Sequence, residues 1–313
     1  MRKLGLFLVL SLALGVPAAG RDFLVSNVGG DGRFSGHQWQ GTTDFSGPLR
    51  TVARALEEAG PGDRIVLAAT GQPYSESLSL VGSRHSGSST RPFAIIGNGA
   101  VLDGSMPVPG TAWKHYEGAM FVFHPACGGA EQLFLGAKPA AKVSASRIAE
   151  RPPRLKPLQW CLCQGDIYFC VEKDRLPRDY PLRVTSLTTG ITLFQVHNVV
   201  LADLVIQGYR VDGVSAANSA RDIQLRGLTC RGNARSGVSV GGASIVDIEG
   251  CLLGNNGEAQ LLTLPISETH VRSSSFLPLT APGWVDQGGR FFLEGKPLRG
   301  GLEKIEGGDK VTR

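Results

Sequence analysis

Apolar residues return along the second half of the chain at an almost constant spacing of 23 or 24 residues. One column of such residues contains Leu201, Leu225, Ile248 and Val271, and a second contains Ile206, Cys230, Leu253 and Phe276. A period in the twenties is typical of a solenoid, because one repeat can bury its apolar face only against the next. The spacing therefore predicts a stack of similar coils.

Each coil reads as three short strands with alternating apolar and polar positions. The first strands begin at Gly190, Gly213 and Gly237. Each second strand ends at a residue of the column that contains Leu201, and each third strand ends at a residue of the column that contains Ile206. The residue between the second and third strands is small or turn-forming, as a tight corner requires: Asp203, Gly227, Gly250 and Ser273. A leucine-rich repeat has a similar period, but its asparagine-bearing consensus is absent. We therefore predict an all-β fold of three-strand coils.

One short amphipathic helix precedes the repeats. Leu49, Val52, Ala53 and Leu56 fall on one helical face after Pro48, and residues 60–62 (Gly-Pro-Gly) predict its end. The strands predicted next are 63–67, 77–81, 93–97 and 100–104.

This opening resembles that of many secreted right-handed parallel β-helix proteins of the pectate lyase-like superfamily. The resemblance is carried by residues 47–56, 61–67, 74–76, 91–97 and 101–104. It implies a right-handed parallel β-helix whose apolar end is covered by the helix, since an uncapped coil would expose core side chains and strand edges.

The N-terminus predicts export. Arg2 and Lys3 are followed by 13 apolar residues (4–16) and then by Pro17-Ala18-Ala19-Gly20, the pattern of a signal peptide (1–20). The apolar run is shorter than the roughly 20 residues of a membrane-spanning helix, so we expect no membrane span after cleavage. The mature chain is expected to be secreted, periplasmic or on the cell surface.

We expect one β-helix domain over residues 21–299, with an inserted β excursion at 113–181 and a polar tail at 300–313. The excursion contains a predicted hairpin in which Cys161 faces Cys170 if the loop is Gly165-Asp166, and is out of register if the loop is Gln164-Gly165. A disulfide between these two cysteines stays open. Zinc is disfavoured because the cysteines lack paired ligand spacing.

Turns that lead into the first strands carry the candidate catalytic residues Tyr209, Arg210, Asp212, Arg235 and Glu258. Arginine suits a uronate carboxylate because its fork matches the carboxylate bidentately, so Arg210 and Arg235 are assigned that role. Tyr209 or Asp212 would act as the general base. Asp212 and Glu258 lie two coils apart, roughly 9 to 10 Å by the rung spacing, which permits an inverting pair. Solvated turn residues are the competing interpretation.

Outward-facing columns offer weaker candidates. Thr192, Ser215 and Ser239 place short hydroxyls on the first sheet, and on the second sheet Asp247 can meet His270 across one rung, next to a column of alternating charge formed by Arg226, Glu249 and Arg272. Opposite charges stacked across strands are also an ordinary stabilising surface. No aspartate cluster suits calcium, and calcium bound through backbone carbonyls stays open; no other cofactor is identified.

Two functions compete. The motif series of the polygalacturonases and the paired arginines of the pectate lyases are absent, which favours an exported protein that binds glycans or other extracytoplasmic partners. The alternative is a polysaccharide lyase or glycoside hydrolase acting on an acidic polysaccharide. The mature chain has 30 basic and 27 acidic residues, an excess too small to argue for a nucleic-acid partner. Oligomeric state is not predicted.

Overall fold

The computed structural model describes residues 20–42, 45–125, 132–136, 138–145, 150–277 and 280–302. Residues 1–19 of the predicted signal peptide and residues 303–313 of the polar tail therefore lie outside the described residues. Across the described part of the chain, no helix is both long and apolar enough to cross a bilayer.

Strands are the dominant regular structure of the described residues, and three sheets built mainly from parallel strands carry the repeat. The first sheet contains β3 (Leu78–Val81), β15 (Ile191–Phe194), β18 (Asp212–Asn218), β21 (Ser236–Val240), β24 (Ala259–Thr263) and β27 (Trp284–Asp286). The second contains β1 (Asp22–Val25), β2 (Arg64–Leu67), β4 (Phe93–Ile96), β16 (His197–Ala202), β19 (Arg221–Arg226), β22 (Ile245–Glu249), β25 (Glu268–Arg272), β28 (Arg290–Leu293) and β29 (Lys296–Leu298). The third contains β5 (Val101–Asp103), β17 (Val205–Gln207), β20 (Thr229–Arg231), β23 (Leu252–Gly254) and β26 (Ser275–Leu277).

The register of the sheets follows the repeat period. Leu225 pairs with Leu201 on one side and with Ile248 on the other, and its side chain is fully buried. The predicted inward column is therefore confirmed. Inward residues of the three parallel sheets form one continuous apolar core, and burial of apolar area at about 25 cal/mol per Å² holds successive coils together.

Helix α1 (Val52–Glu58) starts later than the sequence pattern predicts. Thr51 caps it by accepting a hydrogen bond from the Arg54 amide, and Leu49 instead forms a β-bridge with Val25. The exposed N–H groups of the first turn are bound by the Glu76 carboxylate, which accepts from Val52 at 3.0 Å and from Ala53 at 2.8 Å. A carboxylate is the preferred partner there, because it meets free N–H groups and the positive end of the helix dipole.

Two largely antiparallel sheets interrupt the coil. One contains β6 (Ser105–Pro107), β9 (Leu133–Leu135), β10 (Lys138–Pro139) and β14 (Leu182–Thr185); the other contains β7 (Lys114–Glu117), β8 (Met120–Phe123), β11 (Ala141–Lys142), β12 (Gln159–Cys163) and β13 (Asp166–Cys170). Short 3₁₀ turns lie at Gly110–Ala112 and Pro177–Asp179. The interruption, which we call the excursion, therefore runs from Ser105 to Thr185 and extends beyond 113–181 on both sides.

The predicted hairpin is present with the loop Gln164-Gly165, because Cys163 pairs with Asp166 and Cys161 pairs with Tyr168. This is the out-of-register alternative. Cys161 and Cys170 are buried thiols and form no disulfide with each other. Burial raises the pKa of Cys161 to about 12, so the thiolate needed for disulfide exchange is scarce at neutral pH.

The excursion packs closely on the coil at Gly232. This residue has φ +64°, and a Cβ atom there would lie 2.7 Å from the Phe134 ring and 3.3 Å from Pro139. Only glycine allows both the left-handed backbone and this approach. The contact fixes one wall of the groove described below.

The last coil is closed by a hairpin formed by β28 and β29. Trp284 stacks on Phe291 with ring centroids 4.0 Å apart, and both are almost fully buried. The end of the core is thereby covered by aromatic rings.

Candidate functional site

Tyr209 is part of the core, although its turn position suggested a reactive group. The residue is fully buried, and its hydroxyl donates a hydrogen bond to the Glu76 carbonyl at 2.6 Å. Burial, together with the negative charge of Asp103 and Glu76, raises the pKa of Tyr209 far above its usual value. A phenol that holds its proton this firmly, away from solvent, cannot serve as a general base.

Asp212 is also fully buried, and it is neutralised by Arg235. The Arg235 guanidinium forms a two-point contact with the carboxylate, with Nε 2.9 Å from Oδ1 and Nη2 2.5 Å from Oδ2. The Ser236 and Ser239 hydroxyls donate to the same carboxylate at 2.6 and 2.7 Å. The hydrogen bond to Asp212 is the main cause that raises the pKa of Arg235. This is a closed structural network, and it occupies the arginine that sequence reasoning assigned to a substrate.

Glu258 is exposed, whereas its proposed partner Asp212 is enclosed, so the two carboxylates do not face a common solvent space. Arg210 lies elsewhere, on the wall of a cavity of about 280 Å³ that is also lined by His124 of the excursion. His124 Nδ1 is 2.5 Å from Asp166 Oδ1, and the His124 side chain is 80% exposed. The structure thus separates the five predicted residues into a core phenol, a buried ion pair and two residues in different environments.

Amide side chains fill the inside of the same turns. Asn233 and Asn256 are fully buried, and Asn233 Nδ2 donates to Asn256 Oδ1 at 3.0 Å. Asn256 in turn donates to Gln260 Oε1 at 2.9 Å. The same amides also donate to backbone carbonyls of the coil, Asn233 to Ile206 at 3.3 Å and Asn256 to Cys230 at 3.1 Å, so they link successive turns from the inside.

The outer face of the second sheet has the predicted columns but not the predicted pair. Asp247 aligns with His270, yet His270 bonds Glu268 at 2.7 Å and stacks on Phe292, while Asp247 is 3.4 Å from Arg272. The Asp247–His270 pair is therefore not formed. His270 contacts Glu268 on its own strand and the Phe292 ring on the neighbouring strand instead.

A large groove lies between the excursion and the turns that precede the first sheet. Its volume is about 680 Å³, and its lining includes the cations Lys138, Lys142 and Arg231. Polar neighbours are Gln132, Ser144, Asn255, Asn256 and Thr280, and the described residues that line this basic groove include no carboxylate. Lys142 Nζ lies 4.9 Å from the centre of the buried Trp160 ring, which fixes its stem against the excursion.

Sequence reasoning missed this basic groove for a physical reason. Arg231 lies at a known position of the repeat, but Lys138 and Lys142 belong to the excursion, which has no period to place it. A usable signal in the sequence is the glycine at position 232. Its backbone is left-handed, and it lies where the excursion packs against the coil.

No group of three or more His, Cys, Asp or Glu side chains suited to a metal ion occurs within the described ranges. The cofactor prediction stays untested.

Comparison with known proteins shows the fold alone. No family model matches the chain, and no curated protein matches it. A solved structure described as a glycoside hydrolase is similar, with a TM-score of 0.57 and 12% identity over 82% of this chain and 73% of that one. Weaker similarities are to XylC in complex with xylose (TM-score 0.41, 11% identity, 91% and 73% covered) and to an alginate lyase from Paenibacillus sp. str. FPU-7 (TM-score 0.32, 16% identity, 71% and 72% covered).

Proposed function

We propose that this chain is an exported right-handed parallel β-helix protein of the pectate lyase-like superfamily that binds acidic glycans outside the cytoplasm without cleaving them. The observation that carries the proposal is the basic groove, which is large enough for a small ligand and lined by three cations, amides and hydroxyls. Fold similarity to a glycoside hydrolase is consistent with it but does not transfer an activity.

The state of the predicted catalytic residues favours binding over cleavage. Hydrolysis or β-elimination needs an accessible general base close to the bond that breaks. Tyr209 and Asp212 are both fully buried, and Asp212 already accepts four side-chain contacts from three residues. The pKa of Tyr209 is raised because the residue is buried in the core, so this change does not mark a catalytic acid or base.

Cation chemistry selects the ligand class. Arg231 can contact a uronate carboxylate bidentately, and lysine ammonium groups add long-range attraction. A charge-assisted hydrogen bond contributes about 1.5 to 3 kcal/mol when desolvated. Two such contacts would contribute about 3 to 6 kcal/mol, less than the roughly 8 kcal/mol of micromolar affinity, so the amides and hydroxyls that line the groove have to contribute as well.

Calorimetric titration with an oligogalacturonate and with its carboxyl-reduced neutral counterpart tests the proposal. We expect binding of the acidic ligand, weakened about tenfold or more by Arg231→Met because 1.4 kcal/mol is a factor of ten. Arg226→Met is the matched control, since Arg226 is exposed on the second sheet of the same coil. Absence of binding to either ligand at low salt would overturn the proposal.

Cleavage of an acidic polysaccharide is a second candidate function. It is supported by the contact of 2.5 Å between His124 and Asp166, which lies beside the cavity that Arg210 lines. An imidazole oriented by a carboxylate can act as a general base, and an arginine can neutralise a uronate. Chromatography of an acidic polysaccharide panel after incubation tests it. Shortened or unsaturated products that disappear in His124→Ala would establish the enzyme, and intact polymer supports the binder.

A further inference from the structure

Gln207 lies between a buried carboxylate and the guanidinium that enters the basic groove. Gln207 Nε2 donates to Asp103 Oδ2 at 3.2 Å, and Gln207 Oε1 accepts from Arg231 Nε at 2.9 Å. The three residues occupy one outward column of the third sheet, because Asp103 pairs with Gln207 and Gln207 pairs with Arg231. We infer that Gln207 is a positioning residue that sets the orientation of Arg231 in the groove and thereby its preference for anionic ligands; the inference rests on the proposed function.

The orientation of the Gln207 amide is determined by its neighbours. An ionised carboxylate only accepts hydrogen bonds, so the amide NH₂ has to face Asp103. The carbonyl oxygen then faces Arg231, whose guanidinium only donates. Gln207 and Asp103 are 7% and 6% exposed, so water competes little for either group. If the amide were flipped, its NH₂ group would face the Arg231 guanidinium, which is also a donor. Its carbonyl oxygen would face the Asp103 carboxylate, which is also an acceptor.

Asp103 itself is fixed and compensated from the opposite side. Its Oδ1 accepts from the Ser105 amide at 2.8 Å and from the Ser105 hydroxyl at 2.6 Å. Arg183 of the excursion lies 3.7 Å from Oδ2 and bonds Ser105 through its Nε and Nη2, each at 2.9 Å. Arg183 therefore supplies the counter-charge of Asp103.

This arrangement leaves the charge of Arg231 uncancelled. Its contact to Gln207 uses Nε and a neutral oxygen, and within the described residues no carboxylate lies at ion-pair distance from it. Within the part of the chain that the structure describes, neither terminal nitrogen of Arg231 makes a hydrogen bond or ion pair, and these two nitrogens form the fork that matches a carboxylate. Holding a flexible side chain in place before the ligand arrives removes part of the entropy cost of binding.

The test is a double-mutant cycle with Gln207→Met and Arg231→Met, because methionine retains the unbranched shape of glutamine and forms neither hydrogen bond. The probes are the oligogalacturonate and its carboxyl-reduced counterpart. We expect Gln207→Met to weaken binding of the acidic probe about two- to tenfold and to leave the neutral probe unchanged. In the Arg231→Met background the Gln207 substitution should have no further effect.

Four results with the two probes would count against the inference or against the proposed function on which it rests. Equal weakening of both probes, or full additivity of the two substitutions, would mean that Gln207 only supports the fold. Absence of binding of either probe by the wild-type chain would overturn the proposed function itself. Binding of both probes with equal affinity would retain glycan binding but exclude selectivity for anionic ligands.

If Gln207→Met fails to fold, Asp103→Asn frees the amide to turn, and the same selective loss is expected. A sulfated galactan oligosaccharide separates the anionic chemistries, since tighter binding of it than of uronate would overturn the carboxylate assignment.

Discussion

Removal of the Arg235 guanidinium should destabilise the protein, because Asp212 would be left buried without its counter-charge. Loss of one partner of a buried ion pair costs about 3 to 5 kcal/mol. The Arg235 side chain is 34% exposed, and the two serine hydroxyls remain on the carboxylate, so we discount this to about 2 to 3 kcal/mol. For a domain of this size that corresponds to a fall in Tm of about 4 to 10 °C.

Thermal unfolding of Arg235→Ala and of the exposed control Arg226→Ala measures this effect. If Arg235 were instead a solvated residue that contacts a uronate, as its turn position suggested, Arg235→Ala would leave the melting temperature nearly unchanged. The double variant Asp212→Ala/Arg235→Ala should lose less than the sum of the single changes, since each residue's main partner is already gone. Melting of Arg235→Ala within about 1 °C of the wild type would refute the assignment of this pair to the fold.

Other predictions concern the core, the excursion and the capping helix. Leu225→Asp should cost several kcal/mol because the charge is buried without a partner, whereas Arg226→Asp should be mild; equal losses in denaturant unfolding would contradict the register. Gly232→Ala should destabilise more than Gly250→Ala, because both have φ +64° but only Gly232 would place a Cβ against a ring at 2.7 Å; similar melting temperatures would contradict that packing. Burial lowers the pKa of His85 below its ordinary 6.5, so the unfolded chain binds the proton more tightly and stability should be complete above about pH 6.5 and fall below it. His85→Gln should flatten this fall below about pH 6.5, and an unchanged slope of stability against pH in urea titrations would exclude His85 as its source.

Periodicity predicted the parts of the fold that repeat. The inward column containing Leu225 could be read from the sequence, since each apolar residue packs on its equivalent one coil away. The start of the helix could not, because the Thr51 cap and the Leu49 bridge depend on strands far along the chain. The sequence did not decide between two hairpin registers whose loops are shifted by one residue. In the structure the loop is Gln164-Gly165.

The candidate site was predicted less well, for two different reasons. Asp212 and Arg235 are 23 residues apart, which is one coil, so the repeat did contain a signal for their ion pair. Lys138 and Lys142 carry no such signal, because the place of the excursion against the coil is set by tertiary packing at Gly232. Residues at repeat positions were assigned to the right turns, but the burial of Tyr209 and Asp212 was not predicted. The groove that the excursion helps to line was not predicted either.

The central claim is that acidic glycans bind in the basic groove and are not cleaved, and a crystal structure of the wild-type chain with an oligogalacturonate tests it most directly. We predict an intact oligosaccharide between the excursion and the coil, with a carboxylate on the terminal nitrogens of Arg231 and within reach of Lys138. An oligosaccharide bound instead beside Glu258 or in the cavity of His124, or a shortened product in place of the intact ligand, would contradict the account.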